Sequence, residues 1–473
     1  MKELLQIIYR VLEDYEIYNP IFSFTCYRTE SSIRPYIHQI EFVARNLLRK
    51  PIRILLADEI GLGKTVTALV TLRRLQRLDL AKRVLIAVPR ILVTQWGAEL
   101  RRIGIRFQRL TRTRFRQLVF EGFPEDVYLT SMDLIKRKEY IEKLKRIRWD
   151  VIIVDEAHRL GRKRGKETQR YSQIGGKLIE AYPERNVLLL SATPHRGDPY
   201  DYISRLLLLD PYLERGRHLD SIHFYTSTHN VLVFRRRKVD VNEVYERKRI
   251  FTDCKLKAVV VTPTTEEEEF HKRLINFLST KLRDFYNRTG REPKALGLLL
   301  SLIFKRASSS PPAAIKTMLR IIEKREEILK AIEGRIAPTD EDERYAEALA
   351  DSLFGFGFED YEEYFEDYER RDEIVDPDEA LNRFAEKCSF LLFDEDIKEL
   401  KQLIRLAEAI KRRDSRLLAL KELTHHNLRE GKKIIIFTEY KDTADYIKGA
   451  LEKELGKGRV ARLTGEEASK EQL

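Results

Sequence analysis

The chain has 473 residues, 43% of them hydrophobic, enough for two or three domains with their own cores, and no stretch reaches the roughly 18 apolar residues of a membrane span. Its net charge of +12 is uneven: between Thr339 and Glu379 there are 18 acids against 3 bases, a local −15 that leaves +27 for the rest. A body this basic points to a polyanionic partner. Cys26, Cys254 and Cys388 are far apart and form no C-x-x-C pair, which argues against a disulfide framework or a zinc site and fits a reducing cytoplasm. The opening residues Met1 to Gln6 lack the pattern of a signal peptide.

Residues 1–30 read as a separate segment, a short amphipathic helix from Leu4 to Leu12 followed by an aromatic stretch from Tyr15 to Tyr27. Ile33 to Gln39 then lead into a helix through Leu48. The amide of Gln39 both donates and accepts, which suits the two adjacent hydrogen-bonding edges of adenine. An apolar run from Ile52 to Leu56 predicts a buried parallel strand. Asp58-Glu59-Ile60-Gly61-Leu62-Gly63-Lys64-Thr65 follows, and a helical pattern begins at Val66. Gly61 and Gly63 let the backbone curl its N–H groups inward as a nest for phosphate oxygens, with the positive end of the helix behind them. Lys64 is placed to reach the β- and γ-phosphates of ATP, and Thr65 to hold Mg²⁺ through its hydroxyl. This is a phosphate loop of the P-loop NTPase type. It departs from the general pattern at its first position, where Asp58 replaces glycine.

Short apolar strands are predicted at Val84–Pro89, Val127–Ser131, Val151–Val154 and Val187–Leu190, separated by helical stretches. The alternation predicts an α/β fold with a parallel sheet covered on both faces, whose ligands lie at the carboxyl ends of the strands. Asp155-Glu156-Ala157-His158 occupies one such end. Asp155 is assigned a second Mg²⁺ contact, Glu156 the orientation and deprotonation of the attacking water, and His158 the sensing of the nucleotide state. Ser191, Thr193 and His195, at the next strand end, are assigned the coupling of that acidic motif to another domain. The basic run Arg159 to Lys166 either adds to a nucleic-acid surface or is a solvated loop.

From Val259 the character changes. A helix is predicted from Thr264 to Leu282, opened by Thr265 and four glutamates, and another begins after Ser308-Ser309-Ser310-Pro311-Pro312. The acidic, aromatic-rich segment 340–379 reads as an insertion, and helix resumes from Asp394 to Arg412. Lys433 to Tyr440 and Arg459 to Leu463 predict strands flanking a helix at 442–455, the beginning of a second α/β unit.

In order, Gln39, Asp58 to Thr65, Val88-Pro89-Arg90-Ile91-Leu92-Val93-Thr94-Gln95-Trp96, Leu129-Thr130-Ser131, Asp155 to His158 and Ser191 to His195 resemble the superfamily 2 helicases. Aspartate at 58 is usual among their SWI/SNF-type ATPases. Phe234-Arg235-Arg236-Arg237-Lys238 and Ile436 to Tyr440 look like that group, and Ser308 to Ala313 is similar to prokaryotic members, including relatives of the ATPase that recycles bacterial RNA polymerase.

The resemblance implies two RecA-like lobes that track double-stranded DNA by ATP hydrolysis: lobe one at 31–255, a helical insertion at 256–412 and a partial lobe two at 413–473. It implies adenine contact by Gln39, a nucleotide site running from Asp58 and Glu59 through Thr65, and a DNA track at Arg90, Gln95, Trp96, Thr130 and Ser131. Such backbone contact would be salt-dependent and largely sequence-independent. It also implies a possible protein partner such as RNA polymerase. The family's arginine fingers would lie beyond Leu473, so this chain is expected to bind ATP but hydrolyse it weakly. The competing readings are a strand-separating helicase or restriction-system translocase, and a nucleotide-gated scaffold.

Overall fold

The computed structural model describes residues 36–46, 49–163, 166–193, 199–215, 231–244, 250–252, 256–289, 294–331, 385–386 and 388–463. The expected N-terminal helix, the acidic segment 340–379 and His195 lie outside them. The chain divides into two compact units after Leu256.

The first unit is built on a seven-stranded parallel sheet. Its strands are β1 (Arg53–Leu56), β2 (Val84–Val88), β3 (Gln108–Arg109), β4 (Val127–Ser131) and β5 (Val151–Val154). A separate two-stranded hairpin pairs β6 (Arg162–Lys163) with β7 (Lys166–Glu167), and β8 (Asn186–Leu190) and β9 (Val233–Phe234) complete the main sheet. The spatial order is β3-β4-β2-β5-β8-β1-β9.

Side chains alternate across a strand, and here both sides are covered. Ile54, Leu56, Val84, Ile86, Ile153 and Leu188 share one core with Ala68, Leu69 and Leu72 of the helix Lys64–Arg77. Leu55, Leu85, Ile152, Val154 and Leu189 share the other with Phe115, Ile141, Ile174 and Leu206 from four further helices. This is why the predicted strands read as continuous apolar runs.

One charged residue sits inside this arrangement. Arg53 opens β1 and is only 7% exposed. Its guanidinium donates to five main-chain carbonyls: Leu209 (2.7 Å), Tyr182 (3.1 Å), Arg185 (3.1 Å), Ile179 (2.9 Å) and Leu208 (2.6 Å). These carbonyls lie at and just beyond the ends of the π-helix Tyr171–Glu180 and the helix Pro199–Leu209, where backbone acceptors run out of helical partners. Burial pulls the Arg53 pKa down to about 10, which still leaves it charged at neutral pH.

The second unit is helical among the described residues: Thr265–Thr289, Lys294–Ser309, Pro311–Ala331, Asp394–Ile410, Ser415–Arg429 and Lys441–Leu455. The first helix is capped one residue earlier than expected. Thr264 Oγ1 accepts from Glu267 N–H (3.3 Å), and Glu267 Oε2 accepts from Thr264 N–H (2.7 Å), a reciprocal capping box. Ser310 caps the helix that begins at Pro311, its hydroxyl accepting from Ala313 N–H at 3.4 Å. Ser309 and Ser310 also meet Thr443 Oγ1 at 2.7 and 2.8 Å.

The strands expected at Lys433–Tyr440 and Arg459–Leu463 do not form; these stretches carry no strand among the described residues. Ile435 is 78% and Phe437 90% exposed. An apolar run becomes a strand only when neighbours supply a ladder, and among the described residues none flanks these segments. No helix among the described residues is long and apolar enough to cross a membrane.

Arg53 should matter more to stability than any surface charge. Each orphaned buried acceptor costs about 1–3 kcal/mol, so Arg53→Leu is expected to lose roughly 3 kcal/mol or more, read as a lowered urea midpoint of the first unit. A midpoint within about 0.5 kcal/mol of wild type would contradict the assignment.

Candidate nucleotide site

The carboxyl ends of β1, β5, β8 and β9 lie side by side, so the motifs predicted separately converge on one edge of the sheet. The register pairs Leu56 with Leu190 and with Phe234, and Val154 with Leu189.

From β1 the chain enters the phosphate loop. Gly61 and Gly63 adopt φ of +89° and +81°, conformations that side-chain-bearing residues rarely hold. A Cβ on Gly63 would lie 2.7 Å from Gln39 Nε2, so a side chain there would displace the Gln39 amide. The helix carrying Thr65 starts at Lys64, directing its N-terminal N–H groups at the loop.

Gln39 and His38 brace the loop from behind. Gln39 Nε2 donates to the carbonyls of Leu62 and Gly63, both at 3.3 Å, while Gln39 Oε1 accepts from Tyr36 N–H at 2.8 Å. His38 Nε2 lies 2.9 Å from the same Leu62 carbonyl, and burial lowers its pKa. Both ends of the Gln39 amide are thus engaged by the protein.

Asp58 and Glu59 turn away from the loop interior. Asp58 Oδ1 accepts from Arg236 N–H (2.8 Å), and Glu59 Oε2 accepts from Lys238 N–H (2.8 Å). Main-chain bonds from Ala57 N–H to Phe234 O (2.7 Å) and Glu59 N–H to Arg236 O (2.9 Å) complete the join. The Arg236 guanidinium pairs with Glu41 at 2.6 Å and stacks on Phe234. In the sequence Asp58-Glu59 and Arg235 to Lys238 stand as separate motifs, with nothing in their spacing to connect them. The signal was an acid at a position destined for burial, which needs a donor from elsewhere.

Asp58 has no exposed surface, and burial pushes its pKa up to about 7 against the opposing pull of the Arg236 N–H and Lys64. Lys64 Nζ donates to the Asp58 carbonyl at 3.0 Å; burial lowers its pKa while Asp58, Glu156 and Asp155 hold it charged.

The two carboxylates after β5 have opposite environments. Asp155 is buried, which raises its pKa, but its ionised form is held by the Trp96 indole N–H (2.7 Å to Oδ2) and the Glu156 N–H (2.8 Å to Oδ1). Glu156 lies 3.0 Å from His158 Nδ1, and this contact holds its pKa below the usual range. Its backbone is left-handed at φ 48°, ψ 47°, a strained conformation for a glutamate. Ser191 Oγ and Thr193 Oγ1 lie 3.3 and 3.5 Å from the same His158 nitrogen, and Thr193 N–H donates to Ser191 Oγ.

The nucleic-acid residues separate into two groups. Trp96 and Thr130 are each 1% exposed, so neither side chain offers a surface to a strand; this corrects the expectation for both. Trp96 instead orders Asp155. Ser131 is half-buried and caps a short helix through Leu134 N–H (3.2 Å), while Gln95 is exposed and Arg90 half-buried. Of the basic run Arg159–Lys166, Arg162 and Lys163 form β6 and Lys166 opens β7, with Arg162 paired to Glu167 at 2.9 Å, while Arg164 and Gly165 lie outside the described residues.

The donor set of Thr65 hydroxyl and Asp155 carboxylate is all oxygen, which suits Mg²⁺. The glycine-built loop and Lys64 suit a polyphosphate.

Residues 37–308 match the model of the SNF2-related domain family, more than half of the chain. The chain belongs to that family. The SNF2-related region accounts for the parallel sheet and for every motif at its carboxyl edge. Among similar proteins is the RNA polymerase-associated protein RapA of Yersinia pseudotuberculosis, 36% identical over 180 residues, 37% of this chain and 18% of the relative. RapA of Erwinia tasmaniensis is 35% identical over 199 residues, 39% of this chain and 20% of that one. The chain thus spans about a fifth of the length of these relatives. The Sulfolobus solfataricus SWI2/SNF2 ATPase core in complex with dsDNA is 16% identical, covering 93% of this chain and 76% of that one at a TM-score of 0.38.

The raised pKa of Asp58 has a consequence for stability. The folded chain binds that proton more tightly than the unfolded one, so the contribution of Asp58 to stability should be greatest below about pH 4, fall as pH rises toward about 7, and level off above. Asp58→Asn keeps an acceptor for the Arg236 N–H and is expected to flatten that limb in urea unfolding measured from pH 4 to 8. An unchanged limb would place the proton elsewhere.

Proposed function

We propose that this SNF2-related chain is the motor portion of an ATP-dependent translocase that remodels protein complexes on double-stranded DNA. The observation that supports it most is the convergence of Lys64, Thr65, Asp155, Glu156 and His158 on one sheet edge, with an oxygen donor set suited to Mg²⁺. Magnesium, when bound, neutralises phosphate charge. Lys64 binds the β- and γ-phosphates, and the N–H groups of the loop cradle them. Glu156, kept ionised by His158, orients the attacking water and accepts its proton. His158 shares its Nδ1 with Ser191 and Thr193, so a change of charge on Glu156 is felt at the next strand end.

The net charge of +12 supports a DNA partner, and Arg90, Gln95 and Ser131 are the track residues that retain surface. The relatives named RNA polymerase-associated support RNA polymerase as the protein partner. The reading includes adenine contact by Gln39, the division into an ATP-binding lobe at 31–255, a helical insertion at 256–412 and second-lobe sequence from 413, and a cytoplasmic setting.

ATPase rates measured without nucleic acid and with single-stranded DNA, duplex DNA or RNA test the reading. The highest rate is expected with duplex DNA. Lys64→Ala should abolish nucleotide binding, whereas Glu156→Gln should retain binding and lose roughly 10²–10⁴ in turnover. Equal rates under all four conditions, or unwinding of a plain duplex, would overturn it.

A further inference from the structure

The basic motif Arg235-Arg236-Arg237-Lys238 has so far only a structural part. Its last residue has a placement that scaffolding does not require. Lys238 begins the helix Lys238–Val244, and the end of its side chain lies beside Gly61 of the phosphate loop. A Cβ built on Gly61 would lie 3.4 Å from Lys238 Cε and 3.5 Å from Lys238 Nζ. The ammonium is therefore carried to the loop itself, at the glycine whose φ of +89° turns the backbone inward.

Its delivery is built from the loop's own acids. Glu59 Oε2 holds the Lys238 N–H, Asp58 Oδ1 holds the Arg236 N–H, and Arg236 is tied in turn to Glu41. The neighbouring Arg237 points elsewhere, into a bidentate pair with Asp240, and is 65% exposed at its side chain. Of the adjacent cations, Lys238 is the one laid on the loop.

Charge supplies the reason. Asp155 and Glu156 place two carboxylates beside Lys64, and both act on its proton. A nucleoside triphosphate brings several more negative charges, so one loop lysine is already balanced before substrate arrives. A second cation beside the loop would offset phosphate charge, and from a half-buried position each opposite charge counts for more than in water.

We propose that Lys238 is a second phosphate-binding lysine of this nucleotide site, placed on Gly61 by the grip of Asp58 and Glu59 on segment 236–238. The inference rests on the ATP-site reading above. It also accounts for Asp58: a glycine at that position could not hold the segment that presents Lys238.

The test is equilibrium titration of the full chain with mant-ATP and Mg²⁺, comparing wild type, Lys238→Gln, Lys238→Arg and Lys64→Ala, with the thermal midpoint of each taken without nucleotide. Lys238→Gln is expected to weaken binding about tenfold, or about 1.4 kcal/mol, with its midpoint unchanged, and Lys238→Arg to stay within about twofold of wild type, the cation being conserved. Wild-type affinity in Lys238→Gln would overturn the proposal. So would equal losses in the Gln and Arg variants, or a lowered nucleotide-free midpoint, either of which marks a scaffold residue. If Lys64→Ala also binds normally, the nucleotide site itself is misassigned, a failure distinct from that of Lys238.

Discussion

Two adjacent carboxylates hold the phosphate loop to a segment 178 and 179 residues further along the chain. Asp58 and Glu59 spend their acceptor capacity on the main chain of Arg236 and Lys238. That choice fixes where β9 ends relative to β1 and orients the loop between them. Burying Asp58 without a full set of partners is costly, since its Oδ2 finds none and its pKa climbs to about 7. A fold retains such a carboxylate when its one good hydrogen bond positions something else. Here the thing positioned is a basic segment against a phosphate-binding loop.

Around that join the electrostatics are graded. Burial raises Asp155 and His158 depresses Glu156, so two consecutive carboxylates are prepared for different work. The indole of Trp96 compensates the buried Asp155 carboxylate without adding charge. Arg53 performs a comparable service at the opposite end of β1, where it satisfies the buried main-chain acceptors of two helix ends. Strand β1 therefore carries a buried cation at its start and is followed by a buried acid at Asp58, each held by backbone groups.

Much of the first unit was legible in the sequence. Val151–Val154 and Val127–Ser131 are strands with the expected bounds, because a strand buried on both faces reads as an apolar run whatever its neighbours are. The strand order was not legible, since it depends on pairings between distant segments. The same gap explains Trp96 and Thr130: their motifs mark a strand end, but only packing decides which side chains stay at the surface. In the second unit the rule failed at Lys433–Tyr440. Apolar residues there predicted a strand, yet Ile435 and Phe437 remain exposed because burial belongs to the assembled sheet and not to the run itself.

The central claim is that Asp58 ties the phosphate loop to segment 231–244. Hydrogen–deuterium exchange of wild type and Asp58→Gly, which restores the generic loop pattern, tests it directly. The account predicts faster exchange in peptides covering both 58–65 and 231–244, with the strand at 151–154 unchanged. Faster exchange confined to 58–65, or none in either peptide, would contradict it.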